Sequence, residues 1–160
     1  MKEKTSVLFV CMGNICRSPA AQAVFQGYVD AAQMTDAFEV DSAGTISYHA
    51  GELPDSRMRA HAARRGLNLT HRARQIRPSD FDRFDVILTM DEGNYDDVCA
   101  LAPTYESMLK VRRMSDFCQR YQADCVPDPY YGGAQGFENV LDILYDACKG
   151  LLDWLLHESV

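Results

Sequence analysis

No apolar run in the chain approaches the roughly 20 residues that a membrane-spanning helix needs. The stretch Val7-Leu8-Phe9-Val10 near the N-terminus is four residues long, too short for a secretory signal core. None of the six cysteines forms a Cys-x-x-Cys pair, and His49, His61, His71 and His157 are scattered. Neither a structural zinc site nor a small disulfide-stapled scaffold fits that pattern, and no metal or cofactor is expected. A cationic excess is missing too. Sixteen Lys and Arg against 23 Asp and Glu leave a net charge of −7, which excludes a general nucleic-acid binder. An anionic substrate would have to be held by a local positive pocket. There are no repeats, low-complexity tracts or interdomain linkers. What remains is a chain of 160 residues, 47% apolar and 24% charged, the composition of one globular domain over residues 1–160. It is expected to be cytoplasmic and to bind no membrane.

Periodicity predicts alternating strands and helices. Residues 5–10 read as a buried strand, 38–43 as a second, 84–89 as a third and 108–113 as a short fourth. Ser18 is the expected N-cap, and Pro19 the first residue, of a helix reaching residue 32. Further helices are expected over 57–65, stopped by Gly66, and from Asp91 onward. The last helix, over 136–157, is read from Val140, Leu144, Ala147, Leu151 and Leu155, which fall on one face. Residues 115–136 form a long connection. The expected fold is α/β: a mostly parallel four-stranded sheet with helices on both faces, a flavodoxin-like or Rossmann-like three-layer arrangement. Such sheets bind ligands at the carboxyl ends of their strands.

Cys11 stands at such an end. It opens the stretch Cys11-Met12-Gly13-Asn14-Ile15-Cys16-Arg17-Ser18, which runs from the first strand into the first helix. Backbone N–H groups from Met12 to Arg17 can encircle a tetrahedral oxyanion, with Gly13 supplying tight curvature. The helix start adds its dipole, and Arg17 can grip two oxygens through its planar fork. The same surroundings favour a thiolate at Cys11, and a thiolate aimed at phosphorus forms a phospho-cysteine. Cysteine, five residues, arginine and serine arise together by chance about once in forty chains of this composition.

This loop resembles the signature of the low-molecular-weight protein tyrosine phosphatases. Ser42-Ala43-Gly44-Thr45, Thr89-Met90-Asp91 with Asn94, and Asp128-Pro129-Tyr130-Tyr131-Gly132 resemble further landmarks of that family, in the family's order. The resemblance implies Cys11 as nucleophile, Arg17 as phosphate clamp and Ser18 as hydroxyl donor to the thiolate. Asn14 would brace the loop through Ser42 and His71. Met12, Gly13, Ile15 and Cys16 would complete the phosphate cradle. Asp128, held between Pro127 and Pro129, would protonate the leaving phenolate and then activate water. Tyr130 and Tyr131 would wall the cleft, with Tyr48 facing them. The implied partners are phosphotyrosine-containing proteins as substrates and inorganic phosphate as product, the enzyme being a monomer or weak homodimer.

Three other readings share the loop. A thiol-relay arsenate reductase needs a pair of cysteines in and after the turn following the third strand. Asp91 occupies the first position, leaving only Cys99. A phosphoarginine phosphatase resembles this chain except that threonine replaces Ile15, whose apolar face suits an aromatic ring. A non-catalytic phosphoprotein-binding module would need neither the thiol nor Asp128. The resemblance also implies that Cys16 traps oxidised Cys11 as a reversible disulfide. Cys99, Cys118, Cys125 and Cys148 read as packing residues. Arg57, Arg59, Arg64, Arg65, Arg72, Arg74 and Arg77 read as a solvated helix face available to acidic phosphoprotein substrates.

Overall fold

Val7, Leu8, Phe9 and Val10 are fully buried, which places this strand in the middle of a sheet covered on both sides. The computed structural model describes residues 4–130 and 132–158. Four strands, β1 (Thr5–Cys11), β2 (Phe38–Gly44), β3 (Val86–Thr89) and β4 (Val111–Arg113), form a sheet in the order β2-β1-β3-β4. Every pairing is parallel, with Val10 opposite Ala43 on one side and Thr89 on the other. The chain therefore leaves β1 to build one flank and returns to build the other. The crevice where the two flanks diverge lies beyond the carboxyl end of β1, where this topology places ligands.

Successive β1 residues feed two cores. Val7 and Phe9 pack with Val24, Phe25, Leu141 and Leu144 of α1 (Arg17–Ala31) and α6 (Gly133–His157). Leu8 and Val10 pack with Phe81 of α3 (Asp80–Arg83), with Phe84, and with Val98 of α4 (Glu92–Leu101). The remaining helices are α2 (Ser56–Ala63), which lies against α6, and α5 (Tyr105–Met108). Burying each of these phenylalanines contributes about 1.5–3 kcal/mol. No helix among the described residues is long and apolar enough to cross a membrane.

Several expected boundaries shift for local reasons. Ser18 is not an N-cap: α1 begins at Arg17, Cys16 is the capping position, and no side chain caps it. Helix α2 starts one residue early because the Asp55 carboxylate accepts from the N–H groups of Arg57 and Met58. It ends at Ala63, before Gly66 (φ 81°). Strand β3 omits Phe84 and Asp85, whose carboxylate accepts from the Ser6 N–H at 2.9 Å. Residue 108 belongs to α5, so the fourth strand is only three residues long. The connection after β4 opens with a 3-10 turn, Met114–Phe117, and α6 begins at Gly133.

Candidate active site

The carbonyls of the loop after β1 face the surrounding chain. Cys11 O accepts from Thr45 N (2.9 Å), Met12 O from Ile46 N (3.1 Å), Ile15 O from Asp55 N (2.7 Å) and Cys16 O from Ala20 N (3.3 Å). Among the described residues, no acceptor pairs with the backbone N–H of any residue from Met12 to Arg17. Successive unclaimed donors at the head of a 15-residue helix make a cradle for an anion. The left-handed turn falls at Asn14 (φ 58°), correcting the expectation that Gly13 supplies the curvature. Asparagine tolerates this conformation better than most residues. Gly13 instead makes room for a side chain, since a Cβ there would stand 3.0 Å from the His49 ring. Gly44 is tighter still: its Cβ would lie 2.6 Å from Met12 O.

Asn14 is fully buried and uses all of its hydrogen-bonding capacity. Its Nδ2 donates to Ser18 Oγ (2.8 Å) and Ser42 Oγ (3.0 Å), while Oδ1 accepts from His71 Nε2 (3.0 Å) and Arg74 N (3.0 Å). Ser42 passes its own proton to Gln22 Oε1 (2.6 Å). Burial lowers the His71 pKa and Arg74 acts in the same direction, with Asp41 opposing them. Ser18 Oγ stands 3.0 Å from Cys11 Sγ.

Arg17 is 3% exposed, and its Nη1 is fixed by Asp91 Oδ2 (2.6 Å) and by the Val126 carbonyl (3.0 Å). Its Nη2 lies 3.9 Å from Asp128 Oδ2. Burial opposes the guanidinium charge, but Cys11, Asp91 and Asp128 outweigh it and raise the pKa. For Asp91, burial is outweighed by Arg17 and the Asn94 N–H, which hold the carboxyl below its usual range. Asp128 is half-exposed, and its Oδ1 accepts from Tyr130 N at 3.0 Å, closing a turn between two prolines.

A cavity of about 370 Å³ is lined by Cys11, Met12, Gly13, Ile15, Cys16, Arg17, Ile46, His49, Asp128 and Tyr130. The thiol, the guanidinium and the carboxylate thus meet in one place although Asp128 is more than 110 positions away in sequence. Ser18, Asn14, Ser42 and His71 stand behind the loop. Tyr48 is 81% exposed, set edge-on to His49, and absent from the lining. Tyr131 lies outside the described residues. Ile46 and His49 occupy the wall expected of Tyr48. The arginine stretch is not one solvated helix face. Arg57 lies over the rings of Tyr130 and Phe137 (4.9 and 5.0 Å) and donates to Tyr130 O (3.1 Å). Arg65 bonds Glu138 and Asp142, and half-buried Arg74 bonds Asp41 and Asp80. Burial, together with the charges of Asp55, Cys11 and Asp128, pushes the Cys16 thiol upward. Among the described residues no group of three or more His, Cys, Asp or Glu is placed to hold a metal ion.

Gly44, Gln22, Ile46, His49, Arg57 and Arg74 acquire their roles only through the fold. Gly44 closes an alternating strand within the Ser42-Ala43-Gly44-Thr45 landmark, and Arg57 and Arg74 belong to the arginine-rich stretch; those were the available signals. For Gln22, Ile46 and His49 the sequence offers none.

A parallel α/β sheet carrying a thiol beneath an amide cradle, beside a buried guanidinium, is the layout of a protein that handles oxyanions through sulfur. Residues 6–160 match the family described as low molecular weight phosphotyrosine protein phosphatase. A Synechocystis protein provisionally named a low molecular weight protein-tyrosine-phosphatase is 47% identical, covering 96% of this chain and 98% of its own. The crystal structure of a protein tyrosine phosphatase from Entamoeba histolytica superposes with a TM-score of 0.93 at 44% identity, covering 96% and 97% of the two chains. A Drosophila arginine phosphatase superposes with a TM-score of 0.88 at 31% identity, over 96% and 99%. The chain belongs to the low molecular weight phosphotyrosine protein phosphatase family, hydrolases with a cysteine nucleophile.

Proposed function

We propose that this chain hydrolyses phosphotyrosine in proteins, and small aryl phosphates, through a phospho-cysteine at Cys11. The observation that carries the reading is the set of consecutive N–H groups without protein acceptors, next to Arg17, in the cavity that holds the sulfur. Three phosphate oxygens are stabilised there as charge shifts during transfer. The Cys11 thiolate attacks phosphorus, the P–O bond to the phenol breaks, and Asp128 gives that oxygen its proton. Asp128 then takes a proton from water as the water attacks the cysteinyl phosphate, releasing inorganic phosphate and the thiolate. The Ser18 hydroxyl stabilises the thiolate before attack and after departure. The apolar walls Met12, Ile15, Ile46 and Tyr130 suit a flat ring. Asp91 serves Arg17 rather than presenting a relay thiol, which disfavours arsenate reduction. All six cysteines are free, in keeping with a cytoplasmic setting.

The test is turnover of phosphotyrosine, aryl phosphate, phosphoarginine and arsenate with a chelator present. Phosphotyrosine and aryl phosphate should be hydrolysed, and Cys11→Ser should abolish turnover while retaining vanadate binding. Asp128→Ala should slow esters with poor leaving groups far more than those with good ones, because only the former need the proton. Faster turnover of phosphoarginine than of phosphotyrosine would reassign the substrate.

A further inference from the structure

Beside the catalytic cavity lies a second recess, of about 440 Å³, that shares three of its walls: Ile15, His49 and Tyr130. Its floor is the 52–56 segment, and two guanidiniums line it, those of Arg59 and Arg72. Both are exposed yet set in position from behind. Arg59 Nε donates to Pro54 O at 2.9 Å, and Arg72 Nη1 donates to Gly51 O at 3.0 Å. Among the described residues neither arginine has a carboxylate partner, whereas Arg17, Arg57, Arg65, Arg74, Arg83 and Arg113 each have one. The two acids lining the recess are engaged elsewhere: Asp55 with Arg57 (3.0 Å) and Glu52 with the His49 ring (3.2 Å). In a chain of net charge −7, two anchored and unpaired cations on the rim of an anion site are a local exception to the global field.

We propose that this recess is a substrate subsite that receives a side-chain oxyanion, a carboxylate or a second phosphate, from a residue close to the phosphotyrosine. With the ring in the catalytic cavity, the peptide leaves over the shared wall. A residue up to three positions away reaches roughly 10 Å along an extended chain, enough to cross from one recess into the next. The planar forks of Arg59 and Arg72 can accept either oxyanion, and carbonyl anchoring reduces the side-chain entropy lost on binding. The proposal rests on the phosphatase reading and adds to it the class of substrate preferred.

The experiment measures kcat/KM for phosphotyrosine peptides that differ only in a flanking Gln, Glu or phosphoserine, with phenyl phosphate as a substrate lacking flanks. The wild-type enzyme should prefer the Glu or phosphoserine peptide about tenfold at low salt, chiefly through KM, and the preference should shrink at high salt as screening grows. Arg59→Gln and Arg72→Gln should each remove about threefold of it, and the double variant nearly all. Turnover of phenyl phosphate should be unchanged in all three, which also reports that they fold. Arg59→Lys should restore part of the preference. Equal rates on neutral and acidic peptides, or a preference that survives the double variant, would overturn the subsite. Failure of the wild-type enzyme on phenyl phosphate would instead overturn the phosphatase reading. The Glu and phosphoserine arms distinguish an acidic from a multiply phosphorylated substrate.

Discussion

Ser18 Oγ lies 3.0 Å from Cys11 Sγ and accepts from Asn14 Nδ2 at 2.8 Å, so its own proton is free to point at the sulfur. The competing acceptor, Ala43 O, is farther away at 3.4 Å. A hydrogen bond to a charged group contributes about 1.5–3 kcal/mol, so Ser18→Ala should lower kcat roughly 10–100-fold. Rapid-quench measurement should place the loss in formation and breakdown of the phospho-cysteine, with vanadate affinity little changed. An unaltered kcat would remove the hydroxyl from the mechanism.

The closeness of β2 to the loop gives a second prediction. Gly44→Ala would set a methyl group 2.6 Å from Met12 O and 3.1 Å from Asn14 N and Gly13 C, all of them backbone atoms. It should cost about 1–3 kcal/mol in stability and weaken phosphate and vanadate binding together. Gly27→Ala is the control: it lies within α1, nothing stands within 4 Å of the added atom, and it should raise Tm slightly.

The loop that leads to Asp128 hangs from α6. The Asp146 carboxylate accepts from the N–H groups of Gln119 (3.1 Å), Arg120 (2.9 Å) and Tyr121 (2.9 Å). Burial alone would raise its pKa, but these donors outweigh burial and lower it. A depressed carboxyl stabilises the fold above its unfolded pKa of about 3.9 and loses that contribution as pH falls through the lower folded value. Unfolding measured against pH should therefore show a loss below about pH 4 that is smaller in Asp146→Asn. At pH 7 the variant should be about 1–3 kcal/mol less stable, with faster hydrogen exchange at residues 119–121.

Cys16 shares the catalytic loop with Cys11, and its raised pKa keeps it a thiol during turnover. Peroxide should convert Cys11 to a sulfenic acid, and attack by the Cys16 sulfur on that sulfur should then form a disulfide and expel water. Wild-type activity should return on adding a thiol reductant, whereas Cys16→Ser should recover far less. Equal recovery would assign Cys16 to packing alone.

The sequence revealed the parts that are local. A buried run ending in Cys11, an arginine six residues later and a helix beyond it lie within one short segment, and their periodicities do not depend on the rest of the fold. Likewise, Val140, Leu144 and Leu151 announced α6 by spacing alone. Contacts that join distant segments leave no periodic signal; those of Asn14 with Ser42 and His71, and of Asp128 with Arg17, were legible only through the family resemblance. The exchange of Tyr48 for His49 at the cavity wall depends on how the loop after β2 folds back across Gly13. Serine before proline has two possible uses, and Asn14, the partner that decides between them at Ser18, is fixed by Ser42 of β2 and by His71 and Arg74 of one later loop. Helix α3 is too short to carry a period.

Arg17 does more than face the cavity. Through Asp91 and the Val126 carbonyl it rivets the first strand-and-helix unit to the head of α4 and to the segment that leads to Asp128. Removing a buried charge of this kind leaves the Asp91 carboxylate and the Val126 carbonyl without the partner that joins them. Loss of this side chain would thus loosen the architecture as well as the chemistry. A lineage drifting toward a silent, merely recognising descendant could discard the sulfur far more cheaply than the guanidinium.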